Sequence, residues 1–270
     1  MLYEILGKLV SESLLSLYPI FVKNIGLPLA LQTWSRCFSY AIISVFFIDY
    51  PFVINTLFTS SGLLLSLVTL VHIYVSYKGF TLLESGVAYS IFYLYPIMIL
   101  LMSNNKFPPI LFLALFGVFL LVSNAKFNMM DIVKSPEGFI MILLAAFTEA
   151  NIYFLVRQIK TTNPWNHVFI SYFFGAILLS AYFAKNIMEM KLTGRLSMSL
   201  GINLVIGLFG YLLRFFAMSR LDTVLYAALS YFGVIMAFVY GVLINGEMID
   251  FKKMIGSFLI IISNLYLLYE

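Results

Sequence analysis

Charged residues are sparse along this chain and leave long apolar runs between them. Residues 50–77 contain no Asp, Glu, Lys or Arg over 28 positions. A helix that spans a bilayer needs about 20 apolar residues, whereas strands of a membrane β-barrel alternate in polarity over about ten. Because the runs are apolar on every face, the pattern predicts an all-α integral membrane protein. Six further stretches are equally free of charge, namely 85–105, 107–125, 161–184, 196–213, 223–246 and 254–269.

With charges, Pro and Gly as boundaries, the sequence predicts ten transmembrane helices. The loops between them are short, such as 24–29 and 219–222, so we expect one membrane domain without an extramembrane part. The predicted spans are 4–22, 30–48, 61–77, 84–102, 108–125, 138–157, 166–184, 199–218, 223–244 and 254–269.

Composition narrows the class of protein further. Of the 270 residues, 62% are hydrophobic and 10% are charged, against roughly 45–50% and 25% in globular proteins. These values exclude a cytosolic enzyme, a nucleic-acid-binding protein and a secreted disulfide scaffold, and Cys37 is the one cysteine. Lys8 and Glu12 interrupt the first apolar segment, so we expect no cleavable signal peptide. The expected partner is the lipid bilayer, and the expected location is the cell membrane.

The second half of the chain resembles the first. An offset of 138 residues places Tyr231 on Tyr93, and an offset of 137 places Glu149 on Glu12. Each half then holds five spans, and because five is odd, the second copy enters the membrane in the opposite orientation. The sequence therefore predicts inverted repeats, an arrangement of transporters whose site lies near the membrane midplane between the halves. The two repeats are residues 1–130 and 131–270.

Several short motifs accompany this arrangement. Ser219-Arg220-Leu221-Asp222-Thr223 precedes the ninth span, Gly246-Glu247 follows it, Gly256 lies in the tenth, and Pro96 lies in the fourth. Together with ten spans arranged as five plus five, they resemble the drug/metabolite transporter superfamily in its EamA-like branch. The resemblance implies a compact helical carrier that moves small metabolites by alternating access, often outward.

Two glutamates lie inside predicted spans. Ionisable groups there are costly and face the protein interior or a water-filled cavity. The repeat places Glu12 and Glu149 near the pseudo-two-fold axis, on opposite sides of one cavity, where a desolvated carboxylate suits proton binding and release. Half-sized multidrug pumps of the resembled superfamily bind proton and substrate alternately at a glutamate of the first helix. Alternatively, Glu4, Lys8 and Glu12 form an ion-pair ladder at a solvated helix end.

Three further ionisable residues lie within spans. Arg214 pairs with Glu149, holds a carboxylate or phosphate of a substrate, or extends to the membrane interface. Arg36 is expected to anchor at lipid headgroups, with a functional role as the alternative. His72 is expected to bond to a neighbouring helix rather than to relay protons.

Aromatic and small residues add candidates for a binding cavity. Tyr93 and Tyr231 lie on helices that line the cavity in the resembled fold, as do Tyr89 and Tyr226, and they offer stacking faces and hydroxyl groups. Asn151 and Ser16 are expected to add polarity beside the glutamates. The small residues of the ninth span, namely Gly233, Ala237 and Gly241, are interpreted as close helix packing.

No motif of a hydrolase, a metalloenzyme or a P-loop enzyme occurs, so we predict no enzyme activity. The chain has two His and one Cys, and we therefore predict no metal site and no cofactor. The predicted function is a secondary transporter, by resemblance an exporter, of small polar or amphipathic metabolites, working as a monomer or homodimer. Proton coupling stays open. The alternatives are a flippase of a lipid-linked sugar or other phosphate-bearing substrate and, with no filter loop evident, a channel.

Two lines of reasoning disagree on orientation. The resemblance implies cytoplasmic termini, which leaves four Lys and Arg residues in cytoplasmic loops and nine in outer loops. The positive-inside rule favours the reverse arrangement. We expect the topology of the resembled family, which a reporter fused to the C-terminus would test.

Overall fold

The computed structural model describes residues 1–83, 85–103, 108–124, 135–190, 193–245 and 251–269. Within these ranges the chain forms fifteen α-helices and no strands. In chain order they are α1 (Leu2–Leu15), α2 (Tyr18–Asn24), α3 (Leu29–Val45), α4 (Tyr50–Leu57), α5 (Ser60–Leu82), α6 (Ser85–Phe92), α7 (Tyr95–Met102), α8 (Leu111–Asn124), α9 (Pro136–Gln158), α10 (Pro164–Tyr182), α11 (Ala184–Met188), α12 (Gly194–Met218), α13 (Thr223–Ser230), α14 (Phe232–Asn245) and α15 (Phe251–Tyr269).

Helices occupy all ten predicted ranges, but three of these ranges contain a break. The first holds α1 and α2, the fourth holds α6 and α7, and the ninth holds α13 and α14. Two breaks precede a proline, since α1 ends at Leu15, four residues before Pro19, and α6 ends at Phe92, four residues before Pro96. A proline ring clashes with the carbonyl four residues earlier and removes one helical hydrogen bond. The third break, at Tyr231, occurs without a proline.

Within the described ranges, five helical stretches are long and apolar enough to cross a bilayer. Large apolar side chains cover much of the outer surface, as with Phe112 and Leu243, which are 67% and 75% exposed. Such a surface suits lipid rather than water, and the prediction of an all-α membrane fold is confirmed over the described residues. The five stretches are Leu2–Lys23, Ser60–Leu82, Pro136–Gln158, Gly194–Met218 and Thr223–Ile244.

Four helix pairs make the most extensive contacts: α5 with α9, α8 with α15, α1 with α12, and α3 with α10. Glycines allow the closest approaches. A Cβ atom on Gly79 of α5 would lie 3.0 Å from the backbone nitrogen of Ile142 in α9. One on Gly117 of α8 would lie 2.6 Å from the carbonyl oxygen of Gly256 in α15. Small residues bring helices together in this way in membrane proteins, where packing replaces the hydrophobic effect.

Candidate functional site

Arg214 of α12 joins the two glutamates at the centre of the molecule. Its Nη1 donates to Glu149 Oε1 of α9 at 2.6 Å, and its Nη2 donates to Glu12 Oε1 of α1 at 3.0 Å. All three side chains are at most 1% exposed. The structure therefore brings three of the predicted site residues into one buried ion-pair network, and Arg214 does not extend to the membrane interface.

Glu12 is surrounded by donors. Lys8 Nζ lies 2.5 Å from Oε1, and the Tyr95 hydroxyl donates to the same oxygen at 3.1 Å. The Tyr93 hydroxyl donates to Oε2 at 3.1 Å. Because burying a charge costs several kcal/mol unless partners satisfy it, these contacts stabilise Glu12 as an ionised carboxylate. We call Lys8, Glu12, His72, Tyr93, Tyr95, Glu149 and Arg214 the central cluster.

Lys8 belongs to this buried cluster rather than to a solvated helix end. Its side chain is fully buried, and its ammonium group lies 3.6 Å from the centre of the Tyr226 ring. Glu4 pairs instead with the amino terminus of the chain, at 2.5 Å. The Lys8–Glu12 pair of the alternative ladder therefore forms, but it is buried rather than at a solvated helix end, and Glu4 is not part of it.

Glu149 has fewer partners than Glu12. Its Oε2 atom lies 3.3 Å from His72 Nε2, which is also 3.1 Å from the Tyr211 hydroxyl. His72 Nδ1 lies 3.1 Å from the carbonyl oxygen of Ala145. Since a carbonyl oxygen only accepts, we assign the ring proton to Nδ1, which leaves Nε2 as an acceptor. A second proton on His72 would be shared directly with Glu149.

Gly233 of α14 provides space for this arrangement. A Cβ atom there would overlap the Tyr93 hydroxyl and lie 2.8 Å from Glu12 Oε2. Its carbonyl oxygen accepts a hydrogen bond from Ser16 Oγ at 2.9 Å. Besides the helix packing inferred from the sequence, this glycine leaves room for two members of the central cluster.

Two predicted site residues lie apart from the cluster. Asn151 donates to the carbonyl oxygen of Phe147, one turn earlier in its own helix, at 2.8 Å. Tyr231 is buried between α13 and α14, and it is not among the described side chains that bond to Glu12 or Glu149. Asn151 follows Glu149 by two positions, which turns it to the opposite face of the helix.

The cluster member Tyr95 and the neighbouring Tyr211 were not found from the sequence. Tyr211 precedes Arg214 by three positions, and that spacing places both on one helix face. This signal could have identified Tyr211. Tyr95 follows Tyr93 by two positions and would point the opposite way on an unbroken helix. Only the break between α6 and α7 turns both hydroxyls toward Glu12.

A small cavity connects the central cluster with a second buried arginine. Its lining includes Arg214, Tyr93 and His72 of the cluster, together with Arg36, Tyr18 and Tyr77. The space open to the centre of a water molecule is about 30 Å³, which holds one or two waters rather than a metabolite. Among the described residues, no three His, Cys, Asp or Glu side chains are grouped to hold a metal ion.

Comparisons with known proteins support the architecture. A family model described as the EamA-like transporter family matches residues 136–269. A solved crystal structure shares the fold with a TM-score of 0.66 over 97% of this chain and 96% of that chain, at 16% sequence identity. At this identity the similarity concerns the fold alone. No curated protein matches the sequence.

Proposed function

This chain belongs, through residues 136–269, to the EamA-like transporter family, and from that premise we propose a secondary transporter of small polar or amphipathic metabolites. In this proposal the protein works by alternating access, and the direction of transport is outward. The observation that carries the proposal is the Glu12–Arg214–Glu149 network, a buried set of charges shared between the two halves of a membrane protein. Charges in such a position mark substrate and ion pathways.

Two features support inverted five-helix repeats and ten transmembrane helices. If each helix is replaced by its counterpart in the other half, the contact between α1 and α12 becomes the contact between α9 and α5. Both of these contacts are among the most extensive in the structure. The other two extensive pairs each join a helix to its counterpart in the other half. The breaks at Tyr93 and Tyr231 also fall at positions related by the sequence offset. We therefore propose repeats over residues 1–130 and 131–270.

The network suggests how transport is controlled. Arg214 belongs to the second half and contacts Glu12 of the first, so separating the halves breaks a buried ion pair. Leaving a buried charge without its partner costs about 3–5 kcal/mol. A substrate group or a proton that replaces the lost partner removes this cost. We propose that opening is coupled to such a replacement and that the small cavity represents an occluded conformation.

Transport in proteoliposomes tests the proposal. Candidate metabolites are screened with and without an imposed pH gradient, and the wild type is compared with Glu149→Gln. We expect the variant to insert and remain monodisperse but to lose nearly all transport, because an amide keeps the shape and neither releases a proton nor carries charge. Glu137→Gln is the matched control, since that side chain lies on the same helix and is 57% exposed.

The outcomes separate the candidate functions. Unchanged transport in Glu149→Gln would remove this glutamate from the mechanism. Transport that ignores the pH gradient would favour a facilitator or exchanger over a proton-coupled carrier, and conductance far above carrier turnover would favour a channel.

A flippase is the second candidate. An apolar groove of about 360 Å³ lies on the outer surface, with Leu70 and Leu179 among its lining residues. Such a groove can hold a lipid chain. It has no charged residue in its lining, and a phosphate-bearing substrate would need one. Movement of a fluorescent lipid-linked sugar by the wild type would favour the flippase.

A further inference from the structure

We propose that Arg36, with the tyrosines around it, is the subsite that binds the carboxylate of an anionic substrate with an apolar or aromatic body. Arg36 of α3 is 2% exposed, which differs from the expected headgroup anchor. Its Nη2 donates to the Tyr172 hydroxyl at 2.8 Å, and its Nη1 donates to the Tyr77 hydroxyl at 3.4 Å. Both partners are neutral hydroxyl groups.

Among the residues that the structure describes, no carboxylate pairs with the buried guanidinium of Arg36. The described salt bridges pair Arg214 with two carboxylates and none of them includes Arg36. Its Nε atom is buried without a hydrogen-bond partner. Neighbouring rings attract the guanidinium, and the centre of the Tyr211 ring is 4.5 Å from its Cζ. Ring contacts are weaker than the cost of burying an unpaired charge, so the site favours an anion.

This arginine reaches the same cavity as the central cluster. Arg36 and Arg214 both line it, and the Tyr211 ring lies between them, 4.5 Å from one guanidinium carbon and 5.4 Å from the other. An anion at Arg36 would therefore lie beside the charges proposed to control opening. The inference rests on the proposed transport function and adds the chemical class of the substrate.

The balance of buried charges and the residues that line the cavity favour a carboxylate over a phosphate as the bound group. The buried charged residues among those described are three bases and two carboxylates, which leaves one positive charge unmatched. A monocarboxylate matches it, and its two oxygens fit the fork that Nε and one terminal nitrogen form. A phosphate dianion would need a second free cation, but Arg214 is already paired twice. The cavity must widen to admit a substrate, and Phe80 and Phe92 in its lining suit an apolar or aromatic body once it does.

Equilibrium binding of labelled benzoate to the purified protein in detergent tests the subsite. Benzamide has nearly the same shape without the charge, and we expect it to compete at least about 30-fold less well. We expect Arg36→Gln to abolish measurable binding, and Arg36→Lys, which keeps the buried charge and supports folding, to weaken it about tenfold through loss of the fork. Arg195→Gln, at an exposed arginine, is the control and should bind like the wild type.

Each contrary result has a defined meaning. Equal competition by benzamide, or wild-type affinity in Arg36→Lys, would overturn the anion subsite. Stronger competition by inorganic phosphate than by unlabelled benzoate would overturn the carboxylate assignment. Benzoate binding that depends on Arg36, in wild-type protein that transports no candidate metabolite, would reject the proposed function and leave the subsite standing.

Discussion

Arg214 is the residue whose loss should disturb the central cluster most, because it pairs with two buried carboxylates at once. Arg214→Ala leaves Glu149 without its closest donor, at 2.6 Å in the wild type. We expect a loss of about 3–5 kcal/mol of unfolding free energy, measured by thermal unfolding in detergent. Arg214→Lys should recover only part, since a single ammonium cannot replace the fork.

Gly233 offers a second test at the scale of one residue. Gly233→Ala places a methyl group against the Tyr93 hydroxyl and Glu12, and we expect it to cost about 1–3 kcal/mol of stability by overpacking and to reduce transport strongly. Gly201→Ala is the control, since nothing lies within 4 Å of a Cβ atom there. Adding Tyr93→Phe should restore part of the stability, because it removes the overlapping hydroxyl. Equal effects at both glycines would mean that the close approach is absent.

At the scale of helices, the sequence predicted where helices lie better than it predicted the breaks within them. Charge-free runs mark seven of the ten predicted ranges, because an uninterrupted apolar segment in a bilayer satisfies its backbone only as a helix. The ranges that hold α1, α3 and α9 contain Glu12, Arg36 and Glu149, and they were predicted from the apolar residues around these charges.

The short helices α4 and α11 were not predicted. The break at Tyr231 also has no local signal, since no proline follows it. The pairing of Glu12 with Tyr95 depends on the break before Pro96 and was missed because that range was predicted as one continuous span. A shared site for Glu12 and Glu149 was expected from the sequence offset between the halves.

The break between α6 and α7 should matter more for transport than for stability. Pro96→Ala restores a backbone donor and allows the helix to continue, which would turn Tyr95 away from Glu12. We expect transport to fall about tenfold or more, because a misplacement of about 1 Å can cost that much, while the unfolding temperature changes little. Pro164→Ala, at the start of α10, is the control. Normal transport in Pro96→Ala would show that the break does not position Tyr95.

At the scale of the whole molecule, the network makes Glu12 and Glu149 interdependent across the two halves. Across a wide watery cavity, the interaction expected between two glutamates is repulsive and weak, at about 1 kcal/mol or less. In the structure Arg214 lies between them, so either carboxylate can partly compensate for loss of the other. We expect the Glu12→Gln and Glu149→Gln double variant to lose more stability than the two single variants together, by about 0.5–3 kcal/mol. Additive losses in thermal unfolding would contradict a shared network.

The one unmatched positive charge among the described buried residues has a consequence for the energetics of a transport cycle. With a monocarboxylate bound at Arg36, the described buried charges balance, whereas the empty carrier keeps an excess of one. Moving one elementary charge across the full membrane field changes its free energy by about 2.3 kcal/mol for every 100 mV of membrane potential. Voltage would then act chiefly on the return of the empty carrier and hardly on the loaded step. In an energised cell, the membrane potential rather than the substrate gradient alone would set the pace of the cycle.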